Sequence, residues 1–282
     1  MSDVIFNATA IAGLADLPCY RLQYRDASVI VSSYGAHVLS YQPQPTQEVL
    51  WVSPKAVWQQ QTPIRGGVPI CWPWFGAAAD VFKTTANKLP NHGLVRTALW
   101  QLTEQGGDDA SSWLKLSIEI ATLPHQALSQ PLTLHYEVRL SEQLELTLSC
   151  DQPILQQAAL HSYFAVPDCA QTQVQPLPLQ WQDKVAHAEL TADSAILQFA
   201  GEVDRIYQHT AADLRLEAAD LHLQISQQGH DASVLWNPGE ARCGQMADLV
   251  ADSYQEFVCV ESAKLALTAT RLQLKQIIKV VR

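Results

Sequence analysis

Hydrophobic and polar residues alternate along much of the chain. In WLKLSIEI, residues 113–120, Leu114, Leu116, Ile118 and Ile120 fall on one face and Lys115, Ser117 and Glu119 on the other. LTLHYEVRL, residues 132–140, repeats the pattern, and LELTLSC follows after only Ser141-Glu142-Gln143. Side chains in a strand point alternately to opposite faces, so three such runs with short connections predict an antiparallel meander with one buried face. LRLEAADLHLQIS, residues 214–226, predicts a hairpin turning at Ala218-Ala219-Asp220. Residues 28–41, 233–237, 257–261 and 267–277 are further strand candidates. Helical spacing is confined to short turns at 54–60 and 246–254. Many strands without long helices predict an all-β fold, a large antiparallel β-sandwich with few short helices. Alternating strands continue on both sides of the Pro- and Gln-rich stretch 171–182, so residues 1–282 are expected to form a single domain.

Composition narrows the function. Hydrophobic residues make up 48% of the 282 positions, enough for a sizeable core and too many for a disordered chain. Eighteen Lys and Arg against 28 Asp and Glu give a net charge of −10, which argues against nucleic-acid binding and against an anionic membrane surface. A small anionic ligand is still compatible, because it needs only a few local cations. No apolar run reaches the ~18 residues that span a bilayer, and the first 18 residues lack a basic leader segment. The six cysteines are scattered with no CxxC pair, which reads as free thiols in a reducing compartment. A cytoplasmic protein is expected.

Five segments break the alternation, and such breaks are where function overrides local rules. IRGGVPICWPWFG, residues 64–76, holds Arg65 beside paired glycines and ahead of an aromatic cluster. A guanidinium there offers a planar donor fork for hydroxyls, carboxylates or phosphates. NHGLVR, residues 91–96, places His92 and Arg96 around a glycine turn. His161 interrupts the apolar run LHSYFAV. Asp204 stands in VDRIY, residues 203–207. Glu261 ends the apolar strand FVCVES, where a carboxylate is costly to bury unless it is paired or has a raised pKa. Local pattern alone leaves each open to a structural reading: an aromatic corner, a loop histidine, a charged turn. No HxH or HExxH arrangement points to a metal site, and neither a dinucleotide fingerprint nor a phosphate loop is present. The nucleophile elbow GxSxG is missing too.

Taken together, IRGGVPICWPWFG, LPNHGLVRTALW, LHSYFAV, VDRIY, VLWNP and MADLVADSYQEFVCVESA resemble the aldose 1-epimerase superfamily, in particular its hexose-6-phosphate branch. They run in the family's order from about residue 64 to residue 263. Cys71-Trp72 departs from the aliphatic or Phe residues that relatives often carry. The resemblance implies a β-sandwich whose concave face holds a sugar, and an isomerase interconverting the anomers of glucose 6-phosphate without a cofactor or a metal. It implies His161 as general acid toward the ring oxygen and Glu261 as general base on the anomeric hydroxyl. Arg65, His92 and Asp204 match sugar-holding positions, and Arg96 matches the branch's phosphate-binding arginine with Arg65 as a second cation. Lys83 and Lys88 lie in a nearby loop without an assigned role. The expected partner is a small-molecule hexose 6-phosphate, taken by a monomer. Three other readings use the same residues: a mutarotase for unphosphorylated aldoses, a non-catalytic sugar-phosphate-binding module, and a glycosidase with Asp204 and Glu261 as its carboxylate pair.

Overall fold

The computed structural model describes residues 6–7, 17–82 and 89–281. Lys83 and Lys88 fall outside them. The predicted meander is present as Ser112–Ile120, Leu132–Leu140 and Leu144–Leu160, paired antiparallel in succession, with Gln101–Gly107 on its outer edge. The 28–41 run is two strands, Ala27–Ser32 and Val38–Gln42. With Phe6–Asn7 and Pro18–Tyr24 they make a separate four-stranded sheet. The predicted hairpin is Asp213–Glu217 with His222–Gln228.

The two runs 257–261 and 267–277 are one strand, Phe257–Val280. The meander's last strand is likewise longer than predicted and ends only at Leu160. These two strands pair with each other from Ser262↔Leu160 to Ile278↔Leu144, with register irregularities between Lys264 and Thr268 and between Thr270 and Leu272. The Gln276 side-chain amide donates to the Val260 carbonyl, sixteen residues away in the same strand. A straight strand would separate them by ~50 Å, so the pair folds over at its irregularities. One half of the 15-stranded sheet is thereby laid against the other, with a core of Leu, Val and Ile between them. The irregularities explain why the sequence reads as two strands: alternation is lost where the chain bends.

The expected turns of helix are placed differently. Residues 54–60 form irregular turns, and within 246–254 only a 3-10 turn, Ser253–Gln255, begins. The short α-helices are Ala78–Phe82 and Gly239–Cys243. Apolar spacing in the two segments comes instead from loops packed on different clusters: Ala56 and Trp58 lie against Cys19, Ile30 and Leu39 of the four-stranded sheet, while Leu249 is buried and Met246 packs with it beside Tyr163 and Phe257. All six cysteines are unpaired and buried. Among the described residues no helix is long and apolar enough to cross a membrane.

Candidate active site

The site is built on the outer face of the front half-sheet. Register through Leu160↔Ser262 and Tyr163↔Cys259 is continuous, so His161 lies directly opposite Glu261 and both point to the same face. His161 Nε2 is 3.3 Å from Glu261 Oε1. His161 is 7% exposed and Glu261 1%. The chain leaves His161 little freedom. Its backbone N–H donates to Pro69 O, and its ring stacks on Tyr163 at 4.8 Å with only 8° between planes.

Burial acts on the two groups in opposite directions. It holds His161 well below the ordinary histidine value, helped by the charges of Arg65 and Arg96 and by the neighbouring His92. It drives Glu261 well above the ordinary carboxylate value, helped by the charge of Asp204. Both shifts favour a net-neutral pair, which holds one mobile proton between imidazole and carboxylate. His161 Nδ1 and Glu261 Oε2 are buried without hydrogen-bond partners among the described residues.

A cavity of about 590 Å³ opens above the pair, within the range of small-molecule sites. Its wall comes partly from loops and partly from strand side chains, Asp204, Gln208 and Trp236 among them. Segment 91–96 docks edge-on against the aromatic segment: His92 N–H donates to Gly76 O and Leu94 N–H to Trp72 O. Gly93 permits this approach. It has φ of +85°, and a Cβ there would sit 1.8 Å from Trp72 O. His92 itself has φ of +63°, a conformation uncommon outside glycine and asparagine. Its Nδ1 accepts from Gly76 N–H at 3.3 Å, which leaves the proton of the neutral ring on Nε2. Burial and the charges of Arg96 and Arg65 hold its pKa down to about 3, so the ring is neutral near pH 7.

The two arginines differ. Arg65 Nε donates to Asp248 Oδ2 at 2.8 Å and Nη1 to Tyr163 Oη at 2.9 Å; its charge is already paired. Arg96 Nη2 donates to the Asn91 carbonyl at 2.7 Å, its Nε is buried without a partner, and no carboxylate among the described residues pairs with it. Asp204, on strand Val203–Gln208, stands across from Trp236, and burial raises its pKa.

All six residues singled out from the sequence, Arg65, His92, Arg96, His161, Asp204 and Glu261, line this one cavity. Gln157, Gln182, Lys184, Gln208, Trp236 and Arg242 line it as well, and local pattern did not mark them. Gln182 and Gln208 occupy the polar face of ordinary alternating strands, and only the strand order turns that face into a cavity wall. Trp236, within the VLWNP motif, carried a signal that the pattern reading left unused. Among the described residues no group of three or more His, Cys, Asp or Glu side chains is arranged to hold a metal.

A family model for aldose 1-epimerase matches residues 18–275. The chain belongs to the aldose 1-epimerase family. An aldose 1-epimerase is an isomerase that interconverts the anomers of a sugar, and this chain is one. A Salmonella typhimurium protein named "Putative glucose-6-phosphate 1-epimerase" is 32% identical over 252 residues, 88% of this chain and 84% of its own. An Escherichia coli protein of the same name is 34% identical over 232 residues, 81% of this chain and 77% of its own. The crystal structure of a "putative mutarotase" from Salmonella typhimurium matches with a TM-score of 0.86 at 30% identity, covering 95% of this chain and 91% of that one. The galactose 1-epimerase of Lactobacillus acidophilus, at 14% identity, shares the fold, with a TM-score of 0.73 and 94% of each chain covered.

Proposed function

We propose that this aldose 1-epimerase acts on a hexose 6-phosphate, glucose 6-phosphate first, with His161 and Glu261 as its proton-transfer pair. The observation that carries the substrate class is Arg96: a cavity-lining guanidinium without a carboxylate partner among the described residues, in a chain of net charge −10. A phosphate ester would meet a charge that no carboxylate among the described residues pairs with. The names of the Salmonella and Escherichia relatives support the same substrate.

The chemistry needs one proton taken from the anomeric hydroxyl and one given to the ring oxygen. With the mobile proton on His161, the Glu261 carboxylate takes the O1 proton while the imidazolium protonates the ring oxygen, and the C1–ring-oxygen bond breaks to give the aldehyde. Rotation about C1–C2 presents the other carbonyl face. The freed hydroxyl then attacks C1, returning its proton to His161 while Glu261 reprotonates O1. Atoms and charge balance, and the pair ends as it began. Bound phosphate would also offset the Arg96 charge, one of those that hold His161 down, and so ease its protonation when substrate is present. His92, neutral with its proton on Nε2, and Asp204 serve to hold the sugar hydroxyls; Trp236 and Phe75 offer apolar wall to the ring.

The test is exchange NMR on equilibrated glucose 6-phosphate and glucose. Enzyme-dependent α/β cross-peaks for the phosphate ester, at a kcat/KM at least ~10-fold above that for glucose, are expected. Equal values for the two sugars would overturn the phosphate reading, and the family's unphosphorylated aldoses would become the substrate class.

A further inference from the structure

The back of the active-site strand pair is polar in a largely apolar core, and Gln227 and Ser233, which pair beside Gln276 and Ser262, are buried there too. Ser162 and Ser262, each adjacent in sequence to one member of the proton-transfer pair, point the opposite way, into the sandwich, and both are fully buried. From the opposing half-sheet, Gln276, also fully buried, reaches across to them. Its side-chain oxygen accepts from the Ser162 hydroxyl. Its amide donates to Ser262 Oγ at 2.9 Å and to Val260 O, the carbonyl bonded to the Glu261 nitrogen, at 3.2 Å. Every hydrogen-bonding atom of the Gln276 amide group is used. Leu272, Leu274 and Ile278 of the same strand point into the core with ordinary apolar side chains.

We propose that Gln276 is a positioning residue for the reaction, a strut from the back half-sheet that fixes how His161 and Glu261 face each other. Stability alone does not call for it, because apolar residues of similar volume would fill a core as well or better than a satisfied polar cluster. What the cluster supplies is register. A one-residue slip of either strand would turn its member of the pair, His161 or Glu261, into the core and bring the neighbouring serine to the cavity, so the two groups would no longer face each other. The irregularities after Lys264 break the ladder next to this stretch, so the regular pairing of the back half-sheet does not carry through to the site. Gln276 hydrogen-bonds both strands of the site at once, one member on each side of the pair. The 3.3 Å separation of His161 and Glu261, on which the shared proton depends, is set by strands held from behind.

The inference rests on the proposed roles of His161 and Glu261. Its test uses Gln276→Leu combined with Ser162→Ala and Ser262→Ala, which removes the side-chain polar atoms of the strut together, so that only the Val260 carbonyl loses a donor; Gln276→Leu alone is the companion variant. Thermal unfolding establishes that the triple variant is folded. Anomer exchange should then show kcat reduced at least ~10-fold with KM within ~2-fold of wild type, as expected when the reacting groups are displaced but the cavity wall is intact. The imidazole ¹⁵N shifts of His161, read by NMR without substrate, should move in the same variant. A folded triple variant with wild-type kcat and unchanged His161 shifts overturns the proposal and leaves the cluster as packing. If the wild-type protein exchanges no aldose, the proposed function fails on its own, and the His161 shifts still decide whether Gln276 positions the pair.

Discussion

The cavity has a floor and a wall made in different ways. The floor is two neighbouring strands, and His161 and Glu261 meet there because a continuous register places them opposite each other. The part of the wall that carries Arg65, His92 and Arg96 is made of loops and a short 3-10 turn, gathered there because glycines let backbone pass against backbone. The floor is fixed by long-range pairing, the wall by a few close approaches. The proton-transfer role is proposed for the paired strands, and substrate recognition for a part that can vary without disturbing the sheet.

The floor should be the most sensitive to small chemical change. His161→Asn and Glu261→Gln preserve size and polarity while removing the mobile proton. Each is expected to lower kcat for anomer exchange by ~10²–10⁴-fold with little change in thermal stability. Full activity in either variant would end its assignment to proton transfer. The pH profile sharpens this. The active pair carries one shared proton, and a second enters only when His161 is protonated with Glu261 still neutral. Because burial holds His161 well below 6.5, activity should persist as pH falls through the normal histidine range and be lost only below it. Deprotonation of the pair sets the alkaline limit. That limit lies well above 4.5, because burial raises Glu261. An acid limb centred near 6.5 would contradict the buried, neutral pair.

How much of this was legible differs between floor and wall for the same physical reason. Alternation of period two exposed the strands, and a polar residue in an apolar run marked His161 and Glu261. Their being opposite each other was not legible, since register between residues a hundred apart depends on the fold. Arg65, His92 and Arg96 sit in loops with no period to break; local pattern gave each an equally good structural reading, and only the motif resemblance joined them. Lys184 and Arg242 had neither signal. Gln276 breaks the alternation too, since it falls on the apolar face of Leu272, Leu274 and Ile278, but its role was not legible, because it comes from the fold-over of a strand that the sequence presents as two.

The wall breaks most readily at Gly93. A Cβ at that position meets Trp72 O at 1.8 Å, a backbone atom that cannot rotate away, and φ is +85°. Left-handed strain and overpacking together should destabilise Gly93→Ala by ~4 kcal/mol. Gly76 gives the control. It has φ of +71° but nothing within 4 Å of a built Cβ, so Gly76→Ala should cost only ~1 kcal/mol. Thermal unfolding midpoints for the two variants test the contrast. Equal shifts would mean that the close approach of segment 91–96 to Trp72 does not anchor the wall.

The smallest effect expected is the one most specific to substrate. Arg65 is tied to Asp248 and Tyr163, so its loss would disturb the wall as well as any ligand. Among the described residues Arg96 has only the Asn91 carbonyl as a hydrogen-bond partner, so Arg96→Met removes a charge while keeping most of the side-chain volume. Losing a charge-assisted contact of ~2 kcal/mol should lower kcat/KM for glucose 6-phosphate by ~10–100-fold. The loss should fall mainly on KM, since the floor is untouched. Inorganic phosphate separates this from a general loosening of the wall: it should compete with glucose 6-phosphate in the wild-type protein and lose that competition in Arg96→Met. Unchanged phosphate inhibition in the variant would place the anion elsewhere on the rim, with Lys184 and Arg242 as the remaining cavity-lining cations among the described residues that have no tie to the Asp248–Tyr163 cluster. The floor would then keep its role while the wall's division of labour between its two arginines would have to be redrawn.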